Sequence, residues 1–273
     1  MDSTFRRSYR GAREALEEVL QADQGALDAS TVAEEVWAVA RAVDANAALR
    51  RNLADPSREG ADKAALAAHV LQGKIGVGAM HVVKATAGQR WRSAGDLVTA
   101  LDRLGVEAAL AHAERQGSLG QLEDDLFRFS RIVEGSPELQ AALSDPRADG
   151  TAKSVLVDRL LSTKSTPEAV SLVKQAVAGI RGRRFERAIE AYLQQIAERQ
   201  DEVTATVTTA TALDPAQHDQ LVAALSRQYG RTVHTNVVID EDVVGGIRVE
   251  IGDEVIDGTI SQRLADARRR MTS

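Results

Sequence analysis

The chain repeats itself at a separation of 90 residues, and this constrains its architecture more than any other feature. Leu49, Leu53, Asp55, Pro56, Gly60, Lys63, Leu66 and Leu71 recur as Leu139, Leu143, Asp145, Pro146, Gly150, Lys153, Leu156 and Leu161. Those are 8 identities in the 23 positions from 49 to 71, where ordinary composition gives roughly one or two by chance. The apolar pattern repeats with them. Val32, Val36, Val39 and Val43 fall at i, i+4, i+7 and i+11 on one helix face, and Leu122, Leu126, Phe129 and Val133 keep that spacing. A unit this long is a small domain copied in tandem, because solenoid repeats run ~20 to 50 residues.

Each copy reads as a run of short helices. In the first, helices are expected near residues 5 to 21, 30 to 45, 46 to 53, 57 to 72 and 76 to 87. Thr31 and Glu34 have the spacing of a capping box ahead of the valine stripe. The Asp-Pro pairs at 55 and 145 are read as ending one helix and opening the next, since Pro cannot continue a helix but fits its first turn. Leu97, Leu101, Leu104, Ala108 and Ala111 form one stripe, so a helix from about 93 to 115 closes the first bundle and opens the second. Thr166-Pro167 pairs an N-cap with Pro at the first helical position and leads into Val170, Val173, Val177 and Ile180. A last helix of the bundle covers about 184 to 200.

Beyond residue 200 the period changes from helical to alternating. Val203, Ala205 and Val207 interleave with Thr204, Thr206 and Thr208, the pattern of a strand. Asp214-Pro215 opens a helix with Leu221, Val222, Leu225 and Tyr229 on its apolar face, and Gly230 ends it. Strands follow at Val233 to Ile239 and Ile247 to Ile251, with Asp240-Glu241-Asp242 and Gly245-Gly246 between them. A capping box of Thr259 and Gln262 starts a final helix carrying Ile260, Leu264, Ala267 and Met271, with Arg268-Arg269-Arg270 compensating the dipole of its last turn. The expected fold is mainly α: two tandem helical bundles, residues 1–95 and 96–200, followed by a small α/β C-terminal module, residues 201–273.

Composition excludes several function classes. The net charge is −6 and gives no whole-chain attraction to nucleic acid. Cys is absent, which removes disulfides, thiolate metal sites and cysteine nucleophiles and points to an intracellular protein. The longest uncharged stretch, Val203 to Leu213, is far short of the ~20 apolar residues of a spanning helix. Arg outnumbers Lys 28 to 6, but these Arg alternate with Glu and Asp as on paired, solvated helix faces. Aromatics are only 3%, so the core must be built from Ala, Leu and Val, without an aromatic ligand pocket.

No catalytic constellation emerges. The five His, at 69, 81, 112, 218 and 234, include no i, i+4 pair for a metal. Gly73-Lys74-Ile75 lacks the first glycine and the Ser or Thr of a phosphate loop, and His81 stands where a third glycine would follow Gly76-Val77-Gly78. Asp124-Asp125 and Asp240-Glu241-Asp242 are read as an early helix turn and a hairpin loop rather than an acid–base pair. No cofactor or metal is expected.

One stretch is specific. Gly245-Gly246-Ile247-Arg248-Val249-Glu250-Ile251-Gly252-Asp253-Glu254-Val255-Ile256-Asp257-Gly258-Thr259-Ile260, then Arg263-Leu264, closely resembles the C-terminal signature of the delta subunits of F-type ATP synthases, called in mitochondria the oligomycin-sensitivity-conferring protein. The resemblance extends back through Tyr229-Gly230-Arg231 and the Phe185 to Arg199 helix and covers about residues 96 to 273. It implies a non-catalytic peripheral-stalk (stator) subunit. Its bundle would bind N-terminal helices of alpha subunits, its C-terminal module the b-type stalk subunits, and it would lie peripherally at the cytoplasmic side of the cell membrane. Residues 1 to about 95 look like the second bundle of longer bacterial members. The duplication alone also permits a helical scaffold or regulatory adaptor without a role in energy coupling. The resemblance places an alpha-subunit groove between the first and fifth helices of the second bundle, with Leu104, Ala108 and Ala111 on one side and Val170, Val173 and Val177 on the other. The same spacing also describes plain bundle core.

Overall fold

The computed structural model describes residues 3–22, 28–145, 147–179, 182–200, 202–240, 243, 245–251 and 254–258. The final helix expected from Thr259, with its Arg268–Arg270 run, and Glu241-Asp242 lie outside them. The chain divides into two compact units, Met1–Ile196 and Ala197–Ser273.

The described residues of the first unit form helices joined by short turns. Its elements are α1 (Ser3–Ala22), α2 (Ala29–Ala45), α3 (Ala47–Leu53), α4 (Gly60–Leu71), α5 (Val77–Gly88), α6 (Ala94–Arg115), α7 (Leu119–Glu134), α8 (Pro137–Ser144), α9 (Gly150–Leu161), α10 (Pro167–Ala178) and α11 (Phe185–Gln200). Moving α4 or α5 forward by 90 residues reproduces the bounds of α9 or α10. The same shift carries α1 onto α6, α2 onto α7 and α3 onto α8 within a few residues at each end, and the start of α6 onto the start of α11, which ends earlier at Gln200. The long helix α6 therefore ends the first repeat and begins the second. Its 22 residues at ~1.5 Å each give a rod of roughly 33 Å.

Burial follows the repeat. Val32, Val36, Val39 and Val43 are inside, as are their counterparts Leu122, Leu126, Phe129 and Val133, and one apolar cluster runs continuously from Phe5 to Ile196. Ala, Leu and Val supply most of it, and their small volumes let helices approach closely. Even the repeated lysines are inside. Lys63 is buried with its Nζ donating to the Gln89 carbonyl at 2.6 Å, and Lys153 is buried at the matching place.

Local chemistry shifts three expected boundaries. The N-cap of α2 is Asp28, whose carboxylate accepts from the Ser30 N–H and from the Ser30 and Thr31 hydroxyls, so Thr31 lies within the helix and the Thr31–Glu34 box does not form. Asp55-Pro56 does not open α4. Asp55 accepts from the Ser57 N–H and hydroxyl in a side-chain-closed turn, and the helix begins at Gly60. Asp145 likewise caps the end of α8 and accepts from the Arg147 N–H, while α9 begins at Gly150. Thr166 caps α10 with Pro167 in its first turn.

The second unit contains β1 (Glu202–Thr209), α12 (Pro215–Tyr229), β2 (Thr232–Ile239), β3 (Ile247–Ile251) and β4 (Glu254–Asp257). Strand order is β2-β1-β3-β4. α12 connects β1 to its parallel neighbour β2, as a parallel pair requires a crossover, whereas β3 is antiparallel to both β1 and β4. Ala205, Val207, Leu225, Val233, Val249 and Ile251 form a separate core. Asp214 and Gln217 close a capping box on α12, and Gly230 ends it at φ +65°. β4 has only four residues, too few for a visible alternation in the sequence.

Candidate docking site

The seam between α6 and α10 is where the expected groove residues lie. α6 is fixed at its start by a reciprocal capping box between Ser93 and Asp96. α10 is fixed at both ends, by the Thr166 cap and by Gly179 in the left-handed conformation. A further clamp comes from α7: the buried Asp125 carboxylate accepts the Thr166 N–H at 2.7 Å. Its repeat counterpart, Glu35, accepts the N–H of Gly76, the N-cap of α5, at 2.9 Å. Asp125 thus lies in mid-helix with a structural role across 41 residues of sequence, not in the early turn expected for Asp124-Asp125.

Leu104, Ala108, Val173 and Val177 all belong to the continuous core. Ala111 is buried outside that apolar cluster, and Val170 packs against the core half-buried. As the chain is folded, Val170 alone of these six reaches solvent appreciably.

On its other side α6 carries α2. The Trp37 indole lies over Gly105, where an added Cβ would stand 2.4 Å from Nε1, and Nε1–H donates to the Asp102 carbonyl at 3.1 Å. The Asp102 carboxylate turns toward α10 and accepts from Gln175 Nε2 at 2.8 Å and an Arg183 guanidinium N–H at 3.0 Å. Arg41 of α2 donates to Oε1 of the same Gln175. Burial pushes the Asp102 carboxyl above its ordinary range, against the Gln175 hydrogen bond and the Arg183 charge, which favour the ionised form. Burial, then the nearby Asp102 charge, raises the Tyr192 hydroxyl well above its usual value. His112 lies 3.3 Å from both Asp28 and Glu168, linking α6 to the starts of α2 and α10.

These polar links join the two repeats; they do not converge on an open cleft. They leave no local signal in the sequence, because Asp102, Gln175 and Arg183 are isolated in a chain rich in charge. Asp102 was detectable only as an acid beside the Leu97–Leu101–Leu104 stripe. Among the described residues no cluster of three or more His, Asp or Glu is placed to hold a metal, and no helix is long and apolar enough to cross a membrane.

Fold and site together define a helical scaffold whose polar groups tie its helices to one another, followed in the chain by a small α/β module. Residues 106–271 match the family model described as the ATP synthase delta (OSCP) subunit. An ATP synthase subunit delta of Kineococcus radiotolerans is 45% identical over 97% of this chain and 95% of its own. Subunits of the same name from Streptomyces avermitilis and a Parafrankia species are 42% and 43% identical, over 98% and 100% of this chain and 97% and 100% of theirs. A chain of the Toxoplasma gondii mitochondrial ATP synthase hexamer aligns with 62% of this chain and 95% of its own at 17% identity, with a TM-score of 0.26 that carries no structural argument. The chain belongs to the ATP synthase delta (OSCP) subunit family. It is accordingly a non-catalytic structural subunit, a component of the peripheral stalk.

Proposed function

We propose that this chain ties the catalytic head of an F-type ATP synthase to the membrane-anchored stator, so that proton-driven rotation is resisted and converted into ATP synthesis. The observation that carries the reading is likeness to delta subunits along essentially the whole length, the first repeat included. Physical character agrees with it. Load transmission needs closely packed material, and a continuous core spanning both repeats supplies it.

The division of labour belongs to the same proposal. Residues 96–200 receive an N-terminal helix of an alpha subunit along the α6–α10 seam, entering over Val170, with Leu104, Ala108, Ala111, Val173 and Val177 beneath it. Residues 201–273 hold the b-type stalk subunits, and residues 1–95 extend the scaffold. The chain lies peripherally at the cytoplasmic side of the cell membrane through these partners.

A tagged full chain, purified from solubilised membranes, should recover alpha and b-type subunits together. Because the two units have separate cores, residues 1–200 should fold alone and recover alpha without b. Recovery of b by that fragment in full-chain amounts would remove the C-terminal module from its assigned role.

A further inference from the structure

The first helix carries its charges in the order that its own dipole opposes. Arg6, Arg7, Arg10 and Arg13 lie in the N-terminal half of α1, and Glu14, Glu17 and Glu18 in the C-terminal half. A helix gains from acids in its first turn and bases in its last, and α1 has neither. Its repeat counterpart α6 has the ordinary order, with Asp96 in the first turn and His112 and Arg115 in the last. At the places of Arg6, Arg7 and Arg10 the second repeat has Asp96, Leu97 and Ala100.

More cations join them from the connector between α5 and α6, which runs along α1. The Gln89 side chain lies against Gly11, the Arg90 carbonyl accepts from the Ser8 hydroxyl at 2.6 Å, and the Trp91 ring lies 5.6 Å from Phe5. Arg90 and Arg92 are thereby held beside α1, where the second repeat has Ile180 and Gly182. All five of Arg6, Arg7, Arg10, Arg90 and Arg92 are exposed. Among the described residues Arg6, Arg7, Arg10 and Arg90 have no acidic partner. The acids at hand are already engaged: Glu107 by Tyr9 and Arg13, and Asp96 by the Ser93 cap. Exposed arginines of the second repeat are paired instead, Arg131 with Glu134 and Arg187 with Glu190.

Cations that oppose their own helix dipole and find no partner within the chain suit an external anion. Their surroundings select its kind. The rings at this end, Phe5, Tyr9 and Trp91, are buried, so no platform for stacking bases is offered. No large apolar side chain of α1 or the connector is exposed among the described residues to enter a lipid layer. Arg6 and Arg10 stand one turn apart, about 6 Å along the axis, a spacing that carboxylates at i and i+4 of one polypeptide match, and guanidinium forks bind carboxylates with two parallel hydrogen bonds.

We infer that this end of the first repeat docks an acidic segment of a partner polypeptide, whose Asp and Glu side chains accept from Arg6, Arg7, Arg10 and Arg90. A second copy of this chain is the poorer occupant, because on α1 itself Glu17 is held by Arg13 and Glu18 by His81. That the partner is another subunit of the ATP synthase rests on the function proposed above; the acidic chemistry does not.

The probe is a fluorescein-labelled helical peptide of Ala and Glu, with Glu at every fourth position, titrated onto the full chain. Saturable binding is expected, weakened about 10-fold by Arg6→Glu with Arg10→Glu. Arg131→Glu with Arg187→Glu changes the net charge equally and should leave affinity within about 2-fold. The dipole gives an independent readout: the Arg6→Glu, Arg10→Glu chain should unfold at the parent's temperature or above it. No saturable binding, or equal weakening by both pairs, overturns the inference. A lower unfolding temperature for that chain would show that the arginines serve the fold, and overturns it too. In the assembled complex a photo-reactive residue at position 10 should cross-link to a segment of another polypeptide rich in Asp and Glu. Cross-linking to lipid, nucleic acid or a second copy, or none at all, overturns it equally. If the chain fails to co-purify with ATP synthase, the proposed function falls while the peptide titration still decides this site.

Discussion

Replacing Gly105 by Ala tests whether α2 and α6 are locked as described. Gly105 lies inside α6, where Ala is intrinsically better by ~1 kcal/mol, so propensity alone predicts a more stable protein. Packing predicts the opposite. The new methyl carbon would stand 2.4 Å from Trp37 Nε1 and 2.5 Å from Cδ1, well inside van der Waals contact. Displacing a large buried ring costs about 1–3 kcal/mol, and moving Nε1 off the Asp102 carbonyl strands a buried donor at about 1–3 kcal/mol more. Set against the propensity gain, the net loss is about 1–5 kcal/mol, a fall of roughly 10 °C in Tm at mid-range for a unit of this size. The assay is urea unfolding followed by tryptophan fluorescence, since the chain has only two Trp. Gly120→Ala is the control: its added Cβ meets nothing within 4 Å, so it should stabilise by a few tenths to 1 kcal/mol. A Gly105→Ala chain as stable as the parent, beside a normally behaving Gly120→Ala, would refute the Trp37–Gly105 contact.

Further outcomes follow from the polar clamps. Asp102 has its folded pKa raised, so the folded state holds more protons than the unfolded state between the ordinary carboxyl value and the raised one, and stability from this group falls as pH rises through that window. Asp102→Asn should remove that negative slope from a stability–pH curve; an unchanged curve would contradict the burial argument. Asp28 is held below its ordinary value chiefly by the Ser30 hydroxyl, so its contribution is lost as pH falls through the folded pKa, and Asp28→Asn should flatten the acid limb. Asp125→Ala leaves the Thr166 N–H without its acceptor and should cost about 2 kcal/mol, whereas its more exposed counterpart Glu35→Ala should cost under about 1 kcal/mol. Equal costs in urea titrations would show that burial does not distinguish the two clamps.

Much of this architecture was legible because the repeat is written in apolar spacing. The shift that aligns Val32–Val43 with Leu122–Val133 also sets the bounds of α4 and α9, and of α5 and α10. Helix starts were less legible where several capping residues compete. Asp28, Ser30 and Thr31 all offer side-chain oxygens, and the one preceding the helix captured the backbone N–H. The exposure of Phe127 was invisible because Phe127 lies off the Leu122–Leu126–Phe129–Val133 stripe. Trp37, at the matching place in the first repeat, is covered by Gly105 of α6, far away in sequence. Long-range size matching of that kind has no local signal. The α6 and α10 stripes show the converse: periodicity marks a face that packs, without separating what packs in the chain from what packs on it.

The claim that the chain is a mechanical tether is tested most directly by proton-driven ATP synthesis in inverted membrane vesicles lacking the native subunit. Vesicles are supplied with the full chain, with residues 1–200, or with neither, and hydrolysis is followed in parallel. The full chain should restore synthesis. The fragment should leave ATP hydrolysis by the head intact but support no synthesis, because a head without its tether turns with the rotor. Synthesis at the full-chain level with the fragment alone, or with no added protein, would contradict the account.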